Sequence, residues 1–144
     1  MKILHVITDL NQGGAQKILF KLLNEKNNNY SHSVVSLKGL GHYKNALEDL
    51  NIEHYSLNIK KSSTNVLKLL RLYNIIKNNK PDVVHTWMPH SDLIGGIIAK
   101  IAGVQYILWE VVASNLDSDV MNFTSRMIVK LNAYLSGILP NKII

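Results

Sequence analysis

What most constrains this chain is a strict alternation of short β-branched or aliphatic runs with stretches of helical period. The pattern is set over Met1–Lys26, read as MKILHVIT, then DLNQGG, then AQKILFKLLNEK. The first part has the make-up of a buried strand. In the third, Ile18, Leu19, Leu22 and Leu23 recur with Lys17, Lys21 and Lys26 between them, the period of an amphipathic helix. A strand that breaks through glycines into a helix leaves free backbone N–H groups, with a partial positive charge, at the helix start. Gly13 and Gly14 lack a Cβ, so a ligand or another domain can approach the backbone closely there. The plainer reading is a tight turn that connects strand to helix. The spacing is not G-x-G-x-x-G, and the dinucleotide fingerprint is absent.

The same alternation continues to the end. SVVSL is a short strand, KGLGHY a loop, Lys44–Leu50 a short helix and EHYSLN a further strand. Ser62, Ser63, Thr64 and Asn65 offer N-cap chemistry to VLKLLRLYNIIKNN, where Val66, Leu69, Leu70, Tyr73 and Ile76 are expected to face inward. Pro81 stops that helix. DVVHTW is a buried strand, Pro89–Gly103 a helix closed by a glycine, and QYILW a fifth strand. EVVASNLDSD reads as a loop. Val120, Met127, Leu131, Tyr134 and Ile138 mark a long amphipathic helix ending before Pro140, and NKII begins a sixth strand. Such alternation implies an α/β domain, a parallel sheet with helices on both faces in the order 3-2-1-4-5. Its ligands bind beyond the carboxyl ends of the strands, which singles out residues 9–16, 38–43, 86–92 and 110–118.

Composition narrows the function classes. With 144 residues, 47% hydrophobic and 18% charged, the chain is one globular domain with a real core. It has no cysteine, which excludes a disulfide scaffold and thiolate metal sites. A net charge of +6 points to an anionic partner: a membrane surface, a phosphorylated ligand or nucleic acid. Nucleic acid is disfavoured, because the basic residues are spread over helices without aromatic interleaving. MKILHVITDL is too soon interrupted by Asp9 for a signal peptide, and no apolar run is long enough to span a bilayer. A soluble or peripheral, cytoplasmic protein is the expectation.

The richest chemical stretch is HTWMPHSDLIGG. His85 lies near a strand end and His90 near the start of the next helix, with Ser91 and Asp92 beside it. Five residues apart across a strand–loop boundary, the two histidines lack the i, i+4 spacing of a helical metal motif, and no metal is expected. His90 reads as a general base or a substrate hydrogen-bonder. Against that stands a reading in which Ser91 or Asp92 caps the helix and His90 is merely exposed. Gly95, Gly96 and Ala99 make one helix face small, as close packing on a sheet requires. Glu110 at a strand end is either a substrate contact or a solvated loop carboxylate. Ser114–Asp117 serves equally well as a helix cap.

Taken together, KILHVITDLNQGGAQKIL, PDVVHTWMPHSDLIGGIIAKIAGV, and Trp109 with SNLD at 114–117 resemble the N-terminal half of family 4 glycosyltransferases. The resemblance runs over essentially the whole chain, 1–144. It implies a Rossmann-like doubly wound parallel sheet that is one half of a retaining, two-domain GT-B enzyme, with the second domain absent. This half would bind a glycan or lipid-linked acceptor. The missing half would bind most of the nucleotide-sugar, which is a substrate, so no cofactor is expected. By the same resemblance Gly13 and Gly14 match the glycine loop that faces the donor. His90 matches a catalytic-cleft histidine, and Asp9, Trp87, Glu110, Ser114 and Asn115 are substrate-binding candidates.

Two departures qualify it. Relatives often read W-G-I-R-x-S-N-L-D where this chain has WEVVASNLD, so Glu110 replaces a glycine and Val112 stands where an arginine is common. The acidic pair with seven residues between, used for sugar and ribose, has no counterpart among the acids here. The chain is therefore expected to be inactive alone, or a non-catalytic module that holds an acceptor, a membrane or a partner. A nicotinamide enzyme is disfavoured, since Lys38 and not an acid follows the second strand. A phosphoacceptor signalling domain would want more than Asp9 after strand one. Lys60, Lys61, Lys68, Arg71, Lys77 and Lys80 cluster around one helix. They are read either as a dock for the anionic inner face of the plasma membrane or as solubilising charge.

Overall fold

The computed structural model describes residues 1–25, 29–59, 66–111 and 123–144. Strands β1 (Lys2–Ile7), β2 (Ser31–Ser36), β3 (Glu53–Ser56), β4 (Val83–Trp87), β5 (Tyr106–Glu110) and β6 (Lys142–Ile143) form one sheet. Its order is β3-β2-β1-β4-β5-β6, and every pairing is parallel. The expected order is thus observed, with β6 added beside β5. Between the strands run α1 (Gly14–Asn24), α2 (Lys44–Asp49), α3 (Val66–Asn79), α4 (Pro89–Ile101) and α5 (Phe123–Leu135).

Side chains alternate across each strand, so the sheet feeds two cores. Leu4, Val6, Val35, Val84, Ile107 and Trp109 pack on one face against Leu72, Ile75 and Ile76 of α3 and Ala99 of α4. Ile7, Val34 and Trp87 pack on the other against Leu19, Phe20 and Leu23 of α1 and Leu47 of α2. The small face of α4 does what its composition implies. A Cβ on Gly95 would stand 3.0 Å from Thr86 Cγ2, and one on Gly96 would stand 2.9 Å from Trp109 Nε1. Gly103, at φ +78°, ends α4 in the left-handed conformation that glycine adopts without a Cβ clash.

Three expectations are corrected. β2 runs from Ser31 to Ser36, beginning two residues before the SVVSL stretch read as a strand. In α3, Val66 and Leu70 are exposed, while Leu72, Ile75 and Ile76 are buried. More than half of that helix is apolar, so periodicity offered several inward faces and the sheet selected one. In α5, Met127, Leu131 and Tyr134 point outward, as does Ile138 just beyond it. The helix meets α4 along an edge instead, where Asn132 Nδ2 donates to the carbonyl of Pro89 at 2.8 Å. Val120 and the 62–65 cap lie outside the described residues.

Candidate functional site at the carboxyl edge of the sheet

β1 delivers Asp9 to the carboxyl edge, where α1 begins. Gly13 is the N-cap, fully extended at φ −176° and ψ 174°, and no side chain caps the helix. The first amides of α1 therefore keep the partial positive charge of a helix start. Gln16, buried in the first turn, organises the loop. Its Nε2 donates to the Asp9 carbonyl at 3.0 Å and to Asp9 Oδ1 at 3.3 Å. Its Oε1 lies where a Gly13 Cβ would be, 2.4 Å from that ideal position. A side chain at 13 would have to displace the end of Gln16, whereas the extended backbone there suits any residue. Nothing crowds Gly14. The Asn11 N–H also donates to Asp9 Oδ1, and Lys38 Nζ, arriving from the end of β2, stands 3.5 Å from Asp9 Oδ2. Half-exposed, that ion pair orients more than it stabilises.

The β4–α4 connection supplies His90. Met88 precedes it at φ 80° and ψ 148°, a conformation that costs a non-glycine residue about 1–3 kcal/mol and recurs at functional sites. Neither Ser91 nor Asp92 caps α4, which corrects the capping alternative; the N-cap is Met88, with no side-chain bond. Ser91 Oγ instead pairs with Thr8 Oγ1 at 2.8 Å, and Thr86 Oγ1 donates to Asp92 Oδ1 at 2.7 Å. Both bonds are buried, and they pin the first turn of α4 to β1 and β4. His90 is held at the edge by this turn. Burial, and then the nearby Lys38 ammonium, hold its imidazole below the ordinary 6.5, so it is neutral at pH 7. A neutral imidazole can accept a hydrogen bond or a proton from a hydroxyl.

At the end of β5, Glu110 Oε2 lies 3.2 Å from His85 Nε2. Burial pushes His85 down to about 4, so near neutrality the contact is a hydrogen bond from a neutral imidazole and not an ion pair. Burial also raises the Glu110 carboxyl. Glu110 is part-exposed at the edge and available to a ligand. Trp87 is not. It is 1% exposed, and its Nε1 donates to His5 Nδ1, so its place among substrate contacts is corrected: it is core. Ser114 and Asn115 lie outside the described residues. The edge thus brings together Asp9, Gly13, Gly14 and His90, with Glu110 on the next strand. Gln16 and Lys38 belong with them although sequence reasoning gave neither a role at the site; the position of Lys38 directly after a strand was the available signal. Among the described residues no three potential metal ligands converge.

Residues 14–138 match the family model described as glycosyl transferase 4-like. No curated protein sequence matches the chain. Among solved structures, HepE from Anabaena in complex with UDP superposes with a TM-score of 0.74 at 17% identity, over 99% of this chain and 37% of that one. MurG from Acinetobacter baumannii gives 0.61 at 18% identity, over 99% and 40%. UDP-GlcNAc 2-epimerase from Methanocaldococcus jannaschii gives 0.60 at 17%, over 100% and 45%. The chain spans less than half of each of these proteins, and at such identities the likeness is one of fold.

Proposed function

The chain belongs to the glycosyl transferase 4-like family, and we propose that it is the acceptor-binding half of a retaining glycosyltransferase. The reaction moves a sugar from a nucleotide-sugar to a polysaccharide or lipid-linked acceptor, and this half alone does not turn over. One observation carries the reading: the uncapped start of α1 and the neutral His90 imidazole open onto the same edge of the sheet. His90 accepts a hydrogen bond from the acceptor hydroxyl and holds it towards the reacting sugar. The amides at Gly13 and Gly14 face the donor's phosphates or sugar hydroxyls. Asp9, fixed by Gln16, and Glu110 accept from further sugar hydroxyls, and Ser114 and Asn115 are retained in that role on their SNLD motif. A second reading, favoured by Val112 where relatives often carry an arginine, is a module that binds without turnover.

Joined to a nucleotide-sugar-binding half, the chain should transfer sugar, and His90→Ala should lower kcat about 100-fold while leaving the thermal midpoint nearly unchanged. An unchanged rate would return His90 to the role of an exposed loop residue. Failure of the joined protein to transfer any sugar, with acceptor binding intact, would favour the binding module.

A further inference from the structure

Three carboxyls stand at the carboxyl edge of the sheet, and their surroundings differ. Asp9 is occupied: Gln16 Nε2 and the Asn11 N–H donate to Oδ1, and Lys38 Nζ faces Oδ2. Asp92 is buried and takes the Thr86 hydroxyl. Glu110 is neither occupied nor closed off. Its Oε2 takes the N–H of the neutral His85 at 3.2 Å, its side chain is 19% exposed, and Oε1 accepts nothing from the described residues. His85 is itself buried, its ring centroid 4.5 Å from that of Trp87, so the N–H that it offers Glu110 is fixed in direction.

No base compensates this carboxylate. Among the described residues no lysine or arginine lies within ion-pair distance of it. By register Lys142 of β6 stands opposite Leu108, two residues back along β5, and makes no ion pair with Glu110. The sequence that follows, 111–122, holds Asp117 and Asp119 and neither lysine nor arginine. His85 brings no charge, and the Asp92 carboxyl interacts unfavourably with Glu110. A chain of net charge +6 has thus left one part-buried carboxylate without a counter-ion. Such a charge is costly, and a positive ligand group relieves the cost.

We propose that Glu110, held by His85, sets the specificity of this edge by receiving an ammonium group of the acceptor, as a sugar with a free amine carries. Resting on the acceptor-half reading, this narrows the group met by Glu110 from any sugar hydroxyl to a cation. An ammonium brings both the hydrogen bond that Oε1 lacks and the missing charge. A hydroxyl, or the N–H of an acetylated amine, supplies the hydrogen bond alone. Glu110 lies opposite Trp87, three residues before His90, so the amine and the reacting hydroxyl meet neighbouring strand ends. An ethanolamine head group presents the same ammonium, and the experiment separates the two sources.

The isotope-labelled chain is titrated by NMR with a glucosamine tetramer, an N-acetylglucosamine tetramer and glycerophosphoethanolamine, at low salt and a pH that keeps the amines protonated. The glucosamine tetramer should bind about five- to tenfold more tightly than its acetylated counterpart, the usual margin of a charge-assisted over a neutral hydrogen bond. It should do so against the positive charge of the chain. Glu110→Gln, which still accepts from His85, should abolish the preference, thermal melts confirming that it folds. Glu25→Gln, at an exposed acid closing α1, should leave it intact. Glu110-dependent binding of glycerophosphoethanolamine in place of the tetramer would assign the ammonium to a lipid head group. Equal affinity for the two tetramers would overturn the amine preference and leave a glycan-binding half standing. Preference retained in Glu110→Gln, or binding of none of the three, would also overturn the proposal. The acceptor-half reading is judged separately, by transfer in the joined protein.

Discussion

Trp87 of β4 donates its indole N–H to Nδ1 of His5 on β1, 3.1 Å away, with both residues essentially inaccessible to solvent. An indole nitrogen only donates, so His5 must be the Nε2–H tautomer. That N–H lies 3.0 Å from His32 Nδ1 and donates onward, which fixes His32 in the same tautomer. His85 closes the row, its ring centroid 5.5 Å from that of His5. A parallel sheet buried on both faces has thus admitted a line of imidazoles by satisfying the nitrogens of the deepest one.

Acid should unfold the protein through this row. Burial holds His32 below the ordinary 6.5, His85 at about 4 and His5 well below its usual range. Below about pH 6.5 the unfolded chain takes up protons that the native state refuses. The stability contributed by neutral burial is therefore complete above that pH and is lost as pH falls towards 4. Urea midpoints measured from pH 8 to pH 4.5 should decline with a steepening slope below 6.5. Trp87→Phe should cost about 1–3 kcal/mol at pH 7 by leaving His5 Nδ1 unpaired. A flat midpoint across that range in the Asp92→Asn background, where the opposing carboxyl is gone, would contradict the neutral row.

Asp92 works in the opposite sense. Burial raises its carboxyl to about 7, only partly countered by the Thr86 hydrogen bond, with Glu110 adding to the rise. The unfolded chain ionises from about 3.8 upward while the native state keeps its proton, so stability is lost as pH rises from about 4 to 7. Asp92→Asn, which still accepts from Thr86, should stabilise the protein by about 2–4 kcal/mol at pH 8 and by little at pH 4. Denaturant melts of both forms at the two pH values measure the difference directly.

The start of α1 and the packing of α4 were legible in the sequence for physical reasons. DLNQGG has to turn a strand into a helix, and Gly95, Gly96 and Ala99 have no other use at helical spacing than close approach. The outward faces of α3 and α5 were not. Their apolar residues exceed what one buried stripe needs, so periodicity carries no sign of which stripe the sheet will cover. Trp87 was misread because a strand end can point to the ligand or the core, and only His5, far off in sequence, decides between them. Gln16 was invisible as a site residue because it bonds both the carbonyl and the carboxylate of Asp9 across the loop, a fold-back that no sequence spacing announces.

Gly96→Ala should be far more damaging than a surface helix substitution. The added Cβ would stand 2.9 Å from Trp109 Nε1 and 3.3 Å from its Cζ2. Trp109 is itself 2% exposed and has no room to yield. Overpacking of this kind costs about 1–3 kcal/mol, which outweighs the gain of less than about 1 kcal/mol from replacing a helical glycine. Thermal midpoints of Gly96→Ala and of Lys100→Ala on the same helix provide the comparison. Equal midpoints would mean that α4 sits farther from β5 than described.

Nucleotide-sugar should bind this chain weakly or not at all. Among the described residues, what the carboxyl edge offers a donor is the partial charge at the starts of α1 and α4 and the Lys38 ammonium, and Lys38 already faces Asp9 at 3.5 Å. The Asp9 carboxylate beside that amine opposes a phosphate, and no two acids of this sequence have the spacing of the pair that holds sugar and ribose hydroxyls in relatives. A helix terminus contributes about 0.3–1 kcal/mol at an exposed site, whereas a millimolar dissociation constant already requires about 4 kcal/mol. Two such starts leave the edge short of millimolar affinity by about half of that amount or more. Isothermal titration with UDP-glucose and UDP-N-acetylglucosamine should give no saturable heat below the millimolar range. Lys38→Ala should not change the result. Submillimolar binding, lost in Lys38→Ala, would instead make this half a donor site in its own right.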